Sequence, residues 1–182
     1  MKIIKIKELQ DINQEQYVWY ACYGSNINYE RFLKYIYGDK NDKYSMKTGC
    51  KDKSKPKEKH QYIINHPIYF ANKSKTWNSS VAFLDYQSEG KSYGKIYKIK
   101  LNQFLDIYNQ ENRYFDYSAI IQLDTIDGIP IYTFTAKEKQ QDINYPTVKY
   151  RQTILRGIKR TYKKLSYYKI NKYLKTCRSE ER

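Results

Sequence analysis

Gly24, Ser25 and Asn26 stand between an apolar run and a stretch in which a helix begins near Asn28. The apolar run, residues 17–23, predicts a buried strand. A glycine at such a junction lets the backbone turn tightly, and the start of the following helix presents N–H groups that hydrogen-bond an anion. Ser25 follows Gly24 in the pattern Y-G-S-N and not in the nucleophile pattern G-x-S-x-G. The segment therefore predicts an anion-binding loop, with Ser25 as a ligand contact.

Glu111 is the carboxylate best placed for acid–base chemistry. A helix is predicted over Leu101–Asn112, and its apolar face consists of Leu101, Phe104, Leu105 and Tyr108. Because Glu111 follows Tyr108 by three positions and Phe104 by seven, it falls on the same inward face near the helix end. An inward carboxyl suits a general acid or base. Spacing alone leaves a second interpretation equally open, in which the last turn frays and Glu111 lies in water.

Residues 20–26, Y-x-x-Y-G-S-N, resemble the signature loop of the gamma-glutamylcyclotransferase-like family. Gln110-Glu111 resembles the family's Q-E segment, and Pro146-Thr147-x-x-Tyr150 resembles its P-S-x-x-Y stretch. Residues 69–85 resemble a bacterial branch of the family, although that branch commonly has glycines where this chain has Asn78-Ser79-Ser80. The resemblance extends over residues 17–158, which is most of the chain.

The resemblance implies an enzyme that cyclises a γ-glutamyl amine or peptide to 5-oxoproline and releases the amine. Glu111 would be the general acid/base, and Tyr150 would contact the small substrate from the opposite wall, with packing as its alternative role. The residues that would hold the glutamyl group are Tyr23, Gly24, Ser25 and Asn26. This chemistry requires no metal or organic cofactor. Two alternatives stay open: a related amide acyl transferase, and a non-catalytic module that binds a small molecule or a protein.

Other chemistries find little support in the sequence. His60 lies in a lysine-rich stretch and His66 at a strand start, and neither has the partners of a catalytic triad or a zinc site. The three cysteines, Cys22, Cys50 and Cys177, are too few and too dispersed for a disulfide framework. Cys22 lies within the predicted strand, so we expect a buried thiol and not a reactive thiolate. This cysteine usage predicts a reducing, cytoplasmic location.

The elements that would position these residues can be read from the pattern of apolar residues and turn signals. Six strands are predicted, over residues 17–23, 68–71, 80–85, 93–99, 117–123 and 129–135, with a hairpin turn at Asp127-Gly128. Four helices are predicted, after an Asn28 cap, over Leu101–Asn112, from about Thr147, and after a Ser166 cap. Strands outnumber helices and do not alternate with them regularly. We therefore expect an α+β fold with a mixed, strongly curved sheet or small β-barrel and peripheral helices.

Length and charge set the remaining expectations. The 182 residues predict a single domain over residues 1–176 with a charged tail over residues 177–182. Residues 1–7 alternate charged and apolar side chains, and no apolar run of about 18 residues occurs, so neither a signal peptide nor a membrane span is expected. The net charge of +15 would suit a polyanion, but no nucleic-acid-binding motif accompanies it, and we expect no nucleic-acid partner. Residues 40–59, with eight lysines and three acids, predict an exposed, mobile loop without a role in the chemistry.

Overall fold

The computed structural model describes residues 1–39, 48–112 and 117–177, and these residues form two compact units. Unit 1 is built from Met1–Ala21, Leu33–His60 and Ile96–Lys137. Unit 2 is built from Cys22–Phe32, Gln61–Lys95 and Glu138–Arg182. Residues 40–47 of the predicted lysine-rich loop and residues 178–182 of the predicted tail lie outside the described residues.

Eight strands and five α-helices make up the regular structure of the described residues. The strands are β1 Lys2–Ile4, β2 Tyr17–Cys22, β3 Glu58–Ile64, β4 Ile68–Ser74, β5 Ser79–Leu84, β6 Ser92–Lys100, β7 Ala119–Ile126 and β8 Ile129–Thr135. The α-helices are α1 Ile6–Gln10, α2 Tyr29–Tyr37, α3 Leu101–Asn112, α4 Val148–Thr161 and α5 Tyr167–Thr176. A 3-10 turn covers Ser25–Ile27.

Six strands form one sheet in the order β1-β7-β8-β2-β6-β3, and β4 pairs with β5 in a separate hairpin. The sheet is mixed, because β2 runs parallel to β8 while β7 runs antiparallel to both β1 and β8. It has two edges, β1 and β3, among the described residues. The predicted α+β class with a mixed sheet and peripheral helices is therefore confirmed, and the sheet is open and not a closed barrel.

Every predicted strand and helix is present, and the structure adds three short or polar elements, β1, β3 and α1. Strand β3 begins at Glu58, within the segment that was predicted to be a lysine-rich loop. The prediction of a loop is therefore wrong for residues 58 and 59. An edge strand presents one side to water and tolerates a polar sequence, so Glu58–Ile64 carries no clear apolar signal. Cys50 is also only 1% exposed, so the described part of the segment is anchored at that residue.

In unit 1 the apolar face of α3 packs on the central strands of the sheet. The Phe104 ring lies 5.9 Å from the Tyr20 ring and 6.0 Å from the Phe134 ring, and these two rings stack at 5.4 Å. Strands β7 and β8 are joined at Asp127-Gly128, both with positive φ, as a tight hairpin turn requires. These contacts fix α3, and with it the helix end that carries the predicted acid/base residue.

Unit 2 contains the β4–β5 hairpin and helices α4 and α5. The buried residues of the two helices are Tyr150, Ile154, Gly157, Ile158, Ile170 and Leu174. Helix α5 begins as predicted, because the Ser166 side chain accepts the Lys169 N–H at 3.2 Å. None of the helices in the described residues has the length and apolar character needed to cross a membrane.

Candidate functional site

The Y-G-S-N segment leaves strand β2 and passes through the 3-10 turn into helix α2. The Ile27 N–H donates to the Gly24 carbonyl, and the Asn28 N–H donates to the Ser25 carbonyl, both at 3.1 Å. The Asn28 side-chain oxygen accepts the Arg31 N–H at 3.3 Å, so Asn28 caps the helix as predicted. The sequence therefore indicated the position of this junction correctly.

All side chains of the segment are largely withdrawn from water. Tyr23, Ser25 and Asn26 are buried, with Asn26 only 4% exposed. Segments that connect a strand to a helix usually run over the protein surface, and their polar side chains point into solvent. Burial of the polar side chains in such a segment is therefore uncommon. The burial is compatible with the predicted ligand-holding role of Tyr23, Gly24, Ser25 and Asn26, which stays a prediction.

Gly24 is needed for space. Its backbone has φ −107° and ψ −142°, outside the left-handed region that favours glycine. A Cβ at this position would lie 3.2 Å from the Tyr150 hydroxyl oxygen and 3.4 Å from the Ala82 Cβ. The absent side chain therefore lets the Tyr150 hydroxyl approach the backbone of the loop.

Tyr150 is held in place from several directions. Its hydroxyl accepts the Ala82 N–H at 3.1 Å, and its ring meets Trp77 edge-on at 5.0 Å and Phe70 at 6.4 Å. A tyrosine with a bonded hydroxyl and an enclosed ring has little freedom to move. Tyr150 thus has the packing role that the sequence left open, and its predicted contact with a ligand stays a prediction.

Gly157 on helix α4 is a part of the site that the sequence analysis missed. A Cβ on Gly157 would lie 2.5 Å from the Asn28 nitrogen and 2.8 Å from the Ile27 carbonyl carbon. Only a glycine lets the helix backbone lie this close to the end of the loop. An isolated glycine inside a helix lowers stability by about 1 kcal/mol relative to alanine, and such a position usually has a packing reason. That local signal was available in the sequence.

The serines of the β4–β5 hairpin explain the departure from a glycine-rich pattern. The Ser79 hydroxyl accepts the Thr147 N–H at 2.8 Å and donates to the Ser80 carbonyl at 2.9 Å. The Ser80 hydroxyl donates to the Asn144 carbonyl at 2.7 Å. These bonds join the hairpin to the segment that leads into α4, the helix of Tyr150 and Gly157. The hydroxyls therefore have a positioning function where glycine has none.

Arg31 and Trp77 form a second contact that the sequence analysis missed. The guanidinium carbon of Arg31 lies 4.7 Å from the centroid of the Trp77 ring, within the range of a cation–π interaction. The two residues are separated by 46 positions along the chain, as their numbers show, so no local pattern points to the pair. The contact places a positive charge beside the ring that packs on Tyr150.

Glu111 belongs to unit 1, in the last turn of helix α3. Helix α3 extends to Asn112 in the described residues, so Glu111 lies within the helix, and its side chain is half-buried. The neighbouring Gln110 anchors this turn, because its side chain donates to the Tyr35 carbonyl at 3.1 Å and accepts the Gly49 N–H at 3.1 Å. The acid/base role of Glu111 stays a prediction.

The cysteines and histidines have structural surroundings. Burial raises the pKa of each thiol, Cys22, Cys50 and Cys177, to about 12, and all three are free. The prediction of a buried Cys22 is therefore confirmed. His60 lies 3.2 Å from a Glu58 carboxylate oxygen on an exposed surface. Within the described ranges, His, Cys, Asp and Glu side chains do not gather in a group of three that could hold a metal ion.

Three solved structures share this arrangement of elements. A gamma-glutamyl cyclotransferase is 18% identical with a TM-score of 0.62, and the comparison covers 92% of this chain and 91% of that one. An uncharacterized protein from Homo sapiens is 20% identical with a TM-score of 0.59, and the comparison covers 92% of each chain. YkqA from Bacillus subtilis is 22% identical with a TM-score of 0.60, covering 93% of this chain and 59% of that one. The chain has the gamma-glutamylcyclotransferase-like fold.

Comparisons of the sequence alone give less information about this chain than the comparisons of its structure. No protein-family model matches the chain. Histone deacetylase 5 of Arabidopsis thaliana is 37% identical over 100 residues, which are 52% of this chain and 15% of that protein. The chain therefore corresponds to a small part of the length of this curated relative.

Proposed function

We propose that the protein is an enzyme that cyclises a γ-glutamyl amine or peptide to 5-oxoproline and releases the amine. The observation that carries the proposal is the buried Y-G-S-N loop at its strand-to-helix junction, in a chain whose fold is that of a solved gamma-glutamyl cyclotransferase. The same fold hosts different activities, so the loop and Glu111, not the fold, determine the proposed reaction.

The reaction makes modest demands on the protein. The α-amino nitrogen of the substrate attacks its own γ-carbonyl carbon, a C–N bond closes the five-membered lactam, and the C–N bond to the departing amine breaks. Because nucleophile and carbonyl belong to one molecule, the protein has only to hold the reactive conformation. In this proposal N–H groups of residues 23–26 bind the glutamyl part and stabilise the oxyanion that develops on the γ-carbonyl oxygen.

Proton transfer is assigned to Glu111. The attacking amine is an ammonium group at neutral pH and must lose a proton before it is a nucleophile. The Glu111 carboxylate takes that proton and then gives it to the departing amine. The second proton, which the attacking nitrogen loses as the lactam forms, also passes to the departing amine, so that the amine leaves as an ammonium ion and the enzyme returns to its starting state. The helical last turn and the hydrogen-bonded side chain of Gln110 support this assignment, because they hold the backbone of Glu111 in a fixed position.

The decisive experiment incubates the protein with a panel of γ-glutamyl amines and peptides and measures 5-oxoproline and free amine. Glu111→Gln keeps the shape of the side chain but cannot accept the proton, and we expect turnover to fall roughly 100-fold or more. Glu89→Gln, which changes an exposed carboxylate, is the matched control and should keep full activity. Full activity of Glu111→Gln would contradict the proton-transfer role.

The two alternatives give different results in the same assay. A binding module retains γ-glutamyl ligands but releases no 5-oxoproline. An amide acyl transferase releases the amine and forms a new γ-glutamyl amide when a second amine is supplied. We place the proposed enzyme in the cytoplasm, because free thiols at Cys22, Cys50 and Cys177 suit a reducing compartment.

A further inference from the structure

We propose that helix α5 carries a binding surface for single-stranded nucleic acid, in which Lys172 and Lys175 contact phosphates and the Tyr168 ring stacks on a base. These three residues are called the α5 face below. The inference goes beyond the proposed reaction and does not depend on it. It departs from the expectation drawn from the sequence, which rested on the absence of a known motif and not on where the charge lies.

Positive charge is concentrated in the segment that forms α4 and α5. Residues 143–177 contain ten lysines and arginines and no aspartate or glutamate. The other residues of the chain contain 24 lysines and arginines and 19 acidic residues, so the two signs nearly balance there. A compositional drift towards lysine would raise the charge along the whole chain. The one-sided segment therefore requires a local explanation, and a partner with repeated negative charges provides one.

The α5 face is the exposed side of this helix. Tyr168, Lys172 and Lys175 follow one another at intervals of four and three residues, which aligns them along one side of a helix over about 10 Å. Tyr168 is 76% exposed, and both lysines are exposed. Ile170 and Leu174 on the opposite side are buried. The helix is therefore docked through its apolar side and leaves the α5 face to solvent.

Local hydrogen bonds hold the start of α5 in a fixed orientation. The Ser166 side chain accepts the Lys169 N–H at 3.2 Å and caps the helix. Before the cap, the Lys159 ammonium group donates to the carbonyl oxygens of Lys163 and Leu165, both at 2.8 Å, and fixes the turn between α4 and α5. A partner therefore meets a preformed surface, and less conformational freedom is lost on binding.

An exposed ring with lysines on its own side favours a single strand. Lysines bind phosphates as point charges, and an exposed tyrosine ring stacks on an unpaired base of any type. In a duplex the bases are already stacked on one another, so the α5 face would contact only phosphates. An anionic membrane would be attracted by the same charge, but the apolar side chains of α5 that could enter lipid, Ile170 and Leu174, are buried.

The test measures the fluorescence anisotropy of a labelled oligouridylate of about 12 nucleotides, a length that one small domain can cover. For the wild-type protein we expect a Kd of about 1–100 μM at physiological salt, the usual range for binding that does not depend on sequence. The affinity should fall as salt rises, because each lysine that contacts a phosphate releases counterions from the strand.

Lys172→Gln/Lys175→Gln should raise Kd roughly 5-fold or more at low salt. It should also reduce the slope of log Kd against log salt by roughly 1.4, since each phosphate contact contributes about 0.7 for a single strand. Lys55→Gln/Lys57→Gln is the matched control, because it removes the same charge from two exposed positions in a segment that also contains acids. The control should change Kd less than about 2-fold. An equal loss in both variants would mean that net charge alone attracts the strand, and it would overturn the inference.

Tyr168→Ala separates base stacking from phosphate contacts. Loss of a stacked base should raise Kd roughly 5-fold or more and leave the salt slope unchanged. Tyr168→Phe keeps the ring and should bind as the wild type does. For duplex RNA of the same length, which offers no unstacked base, Tyr168→Ala should change Kd less than about 2-fold. An unchanged Kd of Tyr168→Ala for the single strand would refute the stacking role and with it the inference.

Vesicles that contain phosphatidylserine provide the last comparison. If the wild-type protein binds these vesicles and the oligouridylate does not bind, the surface serves a membrane and the inference is overturned. A Kd above about 1 mM for the oligouridylate, with or without vesicle binding, has the same consequence. The formation of 5-oxoproline is not a readout in any of these measurements, so the failure of one proposal is distinguishable from the failure of the other.

Discussion

The hydroxyl oxygen of Tyr150 lies 3.2 Å from the position that a side-chain carbon on Gly24 would occupy. The same oxygen accepts the Ala82 N–H at 3.1 Å, so it cannot move away without losing that hydrogen bond. The small residue at position 24 and the hydroxyl at position 150 therefore depend on each other. This dependence can be measured.

Gly24→Ala should lower the free energy of unfolding by about 1 kcal/mol, the lower end of the range for a side chain added to a filled space. The loss is expected from the contact of the added carbon with the Tyr150 hydroxyl oxygen. Urea unfolding measures it. In the double variant Gly24→Ala/Tyr150→Phe the loss should be smaller than the sum of the two single losses, because the hydroxyl is gone. Strict additivity would show that the contact is not the cause.

Tyr150→Phe should lower stability by about 1 kcal/mol, because it removes the hydrogen bond to the Ala82 N–H while the ring remains packed on Trp77. The variant also tests the predicted ligand contact. If Tyr150 only packs, KM and kcat for γ-glutamyl substrates should match the wild-type values at a temperature where both proteins are folded. A selective rise in KM would show that the hydroxyl touches the substrate.

Gly157→Ala should be strongly destabilising even though alanine is the better helix former. The added carbon would lie 2.5 Å from the Asn28 nitrogen and 2.8 Å from the Ile27 carbonyl carbon. Both are backbone atoms, which cannot move aside as the end of a side chain can. We expect a loss of about 2 kcal/mol, since overpacking outweighs the gain in helix propensity of about 1 kcal/mol. Gln152→Ala, at an exposed position of the same helix, is the control and should change stability by less than about 0.5 kcal/mol. Thermal and urea unfolding provide the comparison.

Tyr162 should make stability depend on alkaline pH. Its hydroxyl lies 2.7 Å from the Gly94 carbonyl oxygen and accepts the Tyr62 N–H at 3.1 Å, and burial raises its pKa to about 12. Below pH 10 the neutral, hydrogen-bonded Tyr162 hydroxyl makes its full contribution to the free energy of unfolding. Because the pKa is about 10 in the unfolded chain, that contribution is lost as pH rises from 10 towards 12. We expect wild-type stability to fall over this interval.

Tyr162→Phe removes that titrating group. The variant should be less stable than wild type by roughly 1–3 kcal/mol at pH 8, and the difference should shrink between about pH 10 and pH 12. Urea unfolding at several pH values measures both effects. Tyr168→Phe, at a tyrosine that is 76% exposed, should follow the wild-type curve. A difference that stays constant with pH would contradict the assignment.

Apolar periodicity was sufficient to predict the elements that form the core. Helix α3 has the predicted bounds because it has a complete apolar face. Strand β8 has the predicted bounds because a run of β-branched and aromatic residues lies between a turn and a polar segment. Strand β3 was missed, since its sequence is polar and its place in the sheet is an edge. Its stability comes from its neighbour in the sheet, which a local pattern cannot contain.

The parts of the candidate site also differ in how far a local sequence pattern can predict them. The Y-G-S-N loop and its Asn28 cap are encoded in consecutive residues and were predicted. The Arg31–Trp77 contact joins segments that are distant in sequence, and it is visible only in the folded chain. Gly157 is an intermediate case, because a glycine inside a helix indicates close packing but does not identify the neighbour.

The three enclosed thiols determine how the protein can be handled. With a pKa of about 12, roughly one molecule in 10⁵ carries a given thiol as thiolate at pH 7, so maleimides and mild oxidants should react very slowly with the native chain. One cysteine introduced on the surface would then be the selective point for attaching a fluorophore or a spin label. The native background needs no removal, and ligand-induced motion of a chosen segment can be followed in an otherwise unaltered molecule.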